Sequence, residues 1–152
     1  MRDALVFLNL FCSGIVVGTY CFELLVVIPA TRAVPSLLSA QIHGALFSHL
    51  PNRYMPFLGV MTAVGAVALL AFEDVSDTAR LLYGLGLAAW TGTLVIVAGF
   101  SRPLDKQIVA WVQTAVPEED YAVARKKWNT LMVMRGPLGV AGFSCFLAAS
   151  LS

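Results

Sequence analysis

ALVFLNLFCSGIVVGTYCFELLVVI, residues 4–28, is a near-continuous apolar run with a single carboxylate, Glu23, close to its end. A membrane-spanning helix takes about 20 predominantly apolar residues, and this run supplies them. A cleaved leader would carry an apolar centre of roughly 7–15 residues followed by a small-x-small cleavage site. The run is longer and no such site follows it, so it reads as a retained transmembrane helix.

Three more stretches satisfy the same criterion: 56–72, 81–100 and 131–151. The chain is 59% hydrophobic and 12% charged, where a soluble domain carries about 25% charged residues. The expected fold is therefore all-α: one integral membrane domain, 1–152, an up-down four-helix transmembrane bundle with amphipathic helical loops. Nucleic acid is not indicated, because the net charge is +1 and no basic cluster interleaves with aromatics. Cys12, Cys21 and Cys145 lie in apolar segments without a CxxC pair, so they read as small buried hydrophobes. No GxGxxG, GKS/T or CxxCH motif is present.

The connections are unequal. EDVSDTAR (73–80) is a tight acidic turn, whereas the other two links are long. PSLLSAQIHGALFSHLP (35–51) begins with a proline placed for a helix start. In the last link Leu104, Ile108, Trp111 and Val112 recur at helical spacing. Pro117, Glu118, Glu119 and Asp120 then open a second helix that should run unbroken into the fourth span. Both long links fall on one side of the membrane and hold Arg32, Arg53, Arg102, Lys106, Arg125, Lys126 and Lys127, against Arg2 and Arg80 opposite. The positive-inside rule then places the long links in the cytoplasm and both termini outside, in a multi-pass plasma-membrane protein.

Glu23 lies six residues before Pro29, about 9 Å inside its helix end. Near the bilayer centre a charge costs about 2.5–3.5 kcal/mol on insertion scales, so Glu23 should face the bundle interior or be protonated, and its helical neighbours favour the interior. Asn9, Cys12, Thr19 and Tyr20 fall on its helical face. Two readings stay open: a functional carboxylate, or a structural one bonded to a partner such as Tyr20, Arg32 or an indole. Gln41, His43, Arg102, Asp105, Trp128 and Arg135 converge on the same end. Trp128, Met132 and Arg135 share one helical face at i, i+4 and i+7. Each also has a plain reading: a loop histidine at the surface, tryptophans of the interfacial belt, and arginines that snorkel to headgroups. His43 and His49, six apart, do not form an i, i+4 metal pair.

Trp128, Leu131, Arg135, Gly136, Pro137 and Leu138 together resemble the C-terminal signature of the anthrone-oxygenase-like family of small four-helix membrane proteins. SGIVVGTYCFELLVVIPA (13–30), AQIHGALFSHLPNRYMPFLGV (40–60) and GFSRPLDKQIVAW (99–111) resemble the family's other segments in order. Met132 stands where the family usually has His or Asn, and Asp105 where it usually has Asn. The resemblance implies oxidation of a lipophilic phenolic or polyketide-type substrate by molecular oxygen without an organic cofactor. On that reading Glu23 or Asp105 is the base and Arg135 holds an oxyanion, with Arg102 assisting. Tyr20, Trp128 and Met132 belong to the substrate pocket, closed by the loop bearing Gln41 and His43. A thioether at 132 neither donates a hydrogen bond nor shuttles a proton, which leaves room for a non-catalytic subunit of a larger complex, a homo-oligomer, or a binder of a quinone or pigment. Copper held by His43 with Met55 or Met132 is a minor alternative. Gly14 and Gly18 form a small-xxx-small pair suited to helix packing. Glu23 and Arg135 are expected to lie close across the bundle.

Overall fold

The computed structural model describes residues 1–49, 51–112 and 118–152. All the secondary structure among them is helical. Helix α1 runs Arg2–Arg32, α2 Ser36–His49, α3 Pro51–Phe72, α4 Asp77–Val112 and α5 Glu118–Ser150. All but α2 contain stretches long and apolar enough to cross a membrane. The expected all-α membrane bundle is the one observed.

The bundle closes as a ring: α1 packs on α3 and α5, and α4 packs on both α3 and α5. Large apolar side chains point outward along the spans, among them Phe7, Leu25, Val64, Leu85 and Val133, as lipid-facing positions should. Inside lie Val16, Leu69, Tyr83, Trp90 and Phe146. The interior also holds polar groups, some bonded across helices: Asn9 Nδ2 donates to the Thr62 carbonyl at 2.8 Å, and Trp90 Nε1 to the Gly59 carbonyl at 2.9 Å. Ser76 caps α4 by accepting from the Ala79 amide at 3.1 Å, which explains why so short a link as 73–76 suffices.

The tightest crossing is between α4 and α5. A Cβ on Gly86 would lie 2.6 Å from Phe146 and 3.1 Å from the Gly142 carbonyl, so backbone meets backbone there. The Gly14–Gly18 pair is not such a crossing. Gly14 has ordinary contact with Phe143, and nothing described approaches a Cβ on Gly18 within 4 Å.

The sequence places helix ends at Pro29 and after 100; the structure carries both helices through. In each case a π-helical turn precedes the proline: Glu23–Val27 before Pro29, and Val97–Ser101 before Pro103. The Ile28 amide reaches back to Glu23, and the Arg102 amide to Val97. A proline ring clashes with the carbonyl four residues earlier, and a widened turn relieves that clash without ending the helix. The amphipathic segment expected after the third span is thus the second half of α4, and α2 packs against it. The fourth span does continue an earlier helix, α5, although Pro117 lies outside the described residues.

Candidate functional site

The first widened turn begins with Glu23 and the second with Val97, and both residues line one partly open cavity. Tyr20, Arg102, Asp105 and Arg135 share its wall with the apolar Phe47, Met55 and Leu94. Its volume is about 50 Å³, room for a few water-sized molecules and far below the roughly 300 Å³ at which ligand pockets begin.

Glu23 and Arg135 are each 4% exposed, and Arg135 Nη2 donates to Glu23 Oε2 at 2.8 Å. Arg135 does not snorkel to the interface: the carboxylate across the bundle holds it inside, because either charge alone in that interior would be costly. The Arg135 guanidinium carbon lies 5.0 Å from the centre of the Tyr20 ring, a cation–π contact. Arg135 Nε is buried with no hydrogen-bond partner among the described residues.

A second group of side chains adjoins the cavity through Asp105. Trp128 Nε1 donates to Asp105 Oδ1 at 2.8 Å. His43 Nε2 stands 3.3 Å from the same oxygen, too poorly aligned to be a hydrogen bond. On the other side of the ring, Arg125 Nη1 meets His43 Nδ1 at 2.9 Å. Arginine is a donor only, so Nδ1 is the acceptor and the ring proton sits on Nε2, facing the carboxylate. Burial, the largest influence, lowers the His43 pKa from the ordinary histidine value against the opposing pull of Asp105. Phe47 stacks on His43 with ring centres 4.5 Å apart, and Trp128 meets it edge-on at 5.1 Å. Arg125 also donates to Thr31 Oγ1 and lies 4.6 Å over the Trp128 ring.

Four of the sequence readings change here. His43 is not a surface residue of a loop; it is fully buried on α2. Trp128 is no interfacial belt residue: it too is fully buried, and it stands behind the cavity wall, against Asp105 and Phe47. Gln41 is exposed, pointing away from the helix face that carries His43. Met132 packs with Ile28, Phe47 and Trp128 in an apolar cluster, so the thioether replaces a polar group beside the site without entering the cavity wall. Glu23, Tyr20, Arg102, Asp105 and Arg135 do come together. The His49 side chain lies outside the described ones.

Sequence reasoning missed Arg125 and Thr31. Arg125 is three residues before Trp128 and so on the same helical face, but it sits in the run Arg125, Lys126, Lys127 and reads as one more solvated charge. Among the described residues no three His, Cys, Asp or Glu side chains gather as a metal site.

Four apolar spans around a buried, charge-paired polar centre define an all-α multi-pass membrane protein. Residues 45–145 match the family model for anthrone oxygenase, two thirds of the chain, and the chain belongs to that family. It is oxygenase-like at the level of the family. The match includes Arg102, Asp105, Trp128, Met132 and Arg135 and leaves out Tyr20, Glu23, Gln41 and His43. No curated protein and no solved structure matches the chain.

Proposed function

We propose that the protein oxidises a lipophilic, electron-rich aromatic of the anthrone or phenol type with molecular oxygen, at the cavity between Glu23, Asp105 and Arg135. The observation that carries this is Arg135: a guanidinium buried in the bundle in the cavity wall, paired to Glu23 through one nitrogen, with an Nε–H that has no hydrogen-bond partner among the described residues. Such a donor, fixed in a buried site, suits an oxyanion that forms when a ring-activated C–H is deprotonated. Asp105 or Glu23 takes that proton. Oxygen accepts the electrons: a CH₂ and O₂ become C=O and H₂O.

A space of about 50 Å³ holds dioxygen or water but not a ring system, so the substrate enters by moving side chains. A wider outward-opening groove of about 490 Å³ lies on the far face of α4, lined by Phe100, Pro103, Leu104 and Leu131 with Gln107, Lys127 and Thr130. Pro103 and Leu104 line the groove while Arg102 and Asp105 line the cavity. One turn of α4 therefore separates a docking place of ligand size from the charged centre.

The test is oxygen uptake by the purified protein with an anthrone, without NADH or flavin. Uptake is expected, and Arg135→Gln should reduce it by about 10²-fold or more. No uptake, together with purification in fixed ratio to unlike chains, would replace this reading with that of an accessory subunit. Saturable quinone binding without turnover would make it a carrier.

A further inference from the structure

Where α1 ends and α2 begins, a second cavity opens against α5, separate from the one that holds Glu23. Its volume is about 290 Å³. Arg32, Arg125 and Lys126 line it, and among the described residues no acidic side chain does. Three cations around one space repel each other unless something negative lies among them.

The surrounding groups are arranged accordingly. Arg125 is 8% exposed, and its Nε is buried with no hydrogen-bond partner among the described residues. Its other nitrogens are engaged by His43 and Thr31, which fixes the guanidinium in place. Ser36, the first residue of the 14-residue α2, lines the same cavity, so the positive end of that helix borders it. Tyr121 and Ser39 add hydroxyls held together at 2.7 Å. Arg32 is the last residue of the first span and Lys126 lies near the start of the fourth, so the cavity sits at an edge of the membrane-crossing segments.

We infer that this cavity binds a phosphate group, that of an anionic lipid headgroup at the membrane boundary or of a soluble phosphate. Basic pockets between transmembrane helices hold lipid phosphates in this way, each cation adding to the attraction. The site is independent of the oxygenase reading, since none of its lining residues lines the Glu23 cavity. Arg125 links the two: the guanidinium that would contact the phosphate also fixes the His43 tautomer facing Asp105.

Delipidated protein would be titrated with phosphatidic acid in phosphatidylcholine vesicles, with phosphatidylcholine alone, and with inorganic phosphate, reading thermal stabilisation and retained lipid by native mass spectrometry. Arg32 and Lys126 are exposed, so Arg32→Ala/Lys126→Ala removes two cations without emptying the interior. The expected result is preferential binding of phosphatidic acid, weakened about tenfold to thirtyfold in the double variant. Ser36→Asp should weaken it as well by placing a carboxylate in the cavity. Stabilisation by inorganic phosphate alone, lost in the double variant, keeps the site and assigns it to a soluble anion. Equal response to phosphatidic acid and phosphatidylcholine without a phosphate effect, or full binding by the double variant, overturns the inference.

Discussion

Removing the Glu23 carboxylate tests how the charged centre is held. Both partners are 4% exposed and 2.8 Å apart. Glu23→Leu leaves Arg135 charged in the interior, a change that costs about 3–5 kcal/mol when one member of a buried pair is lost. Glu23→Gln keeps an amide oxygen in place, and a hydrogen bond to a charged group is worth about 1.5–3 kcal/mol; its cost should be roughly half that of the leucine. Glu23→Leu/Arg135→Leu removes both charges, and such replacements are often neutral or stabilising by about 1–4 kcal/mol. The double variant should therefore be more stable than Glu23→Leu alone, with a coupling well beyond the roughly 0.5 kcal/mol scatter of independent sites. Unfolding in mixed micelles, followed by tryptophan fluorescence and circular dichroism, gives all four corners of the cycle. Leu25→Ala, exposed on the same turn, is the control and should change little. If Glu23→Leu costs no more than Glu23→Gln, or the two single losses simply add, the ion pair is not what holds these helices together.

His43 sets an acid limit. Its native pKa lies below the unfolded value of 6.5, so stability is full above that value and falls as pH drops below it, because the unfolded chain takes up a proton the native ring refuses. The slope should reach at most about 1.4 kcal/mol per pH unit, and His43→Phe should flatten it in melting curves between pH 7.5 and 5. At the α4–α5 crossing, Gly86→Ala should destabilise by about 1–3 kcal/mol through overpacking, while Gly84→Ala, with open space beside it, should be neutral or gain about 0.5–1 kcal/mol. Impermeant thiol reagents applied to intact cells should label Ser152→Cys and not Gln41→Cys in a variant whose native cysteines are replaced; the reverse pattern inverts the proposed topology.

The spans were legible because twenty apolar residues in a row have few other solutions. What the sequence hid was long-range pairing. His43 reads as a loop residue since nothing near it marks burial; its partners are Arg125, 82 positions away, and Asp105. Arg125 itself is masked by Lys126 and Lys127, which share its charge but are exposed. Pro29 and Pro103 look like helix stops, and only the geometry of a widened turn shows how each helix passes through. The close pair Gly86 and Gly142 comes from two helices, so no spacing rule links them, whereas Gly14 and Gly18 satisfy a spacing rule and pack loosely. Glu23 with Arg135 was readable for a simpler reason: two charges inside apolar helices at one depth have few partners to choose from.

The two widened turns also divide the bundle mechanically. Around Gly86 and Gly142, backbone rests on backbone and leaves no slack. Glu23 and Val97, at the other end, each begin a stretch where a helical hydrogen bond is stretched over five residues and a proline soon withdraws another. Bending is concentrated at such places in a helix. Bending at these two turns would widen the charged cavity by swinging helix ends, while the crossing at Gly86 and Gly142 keeps the opposite half closed. Amide hydrogen exchange should be faster from 23 to 32 and from 97 to 106 than along 79–93.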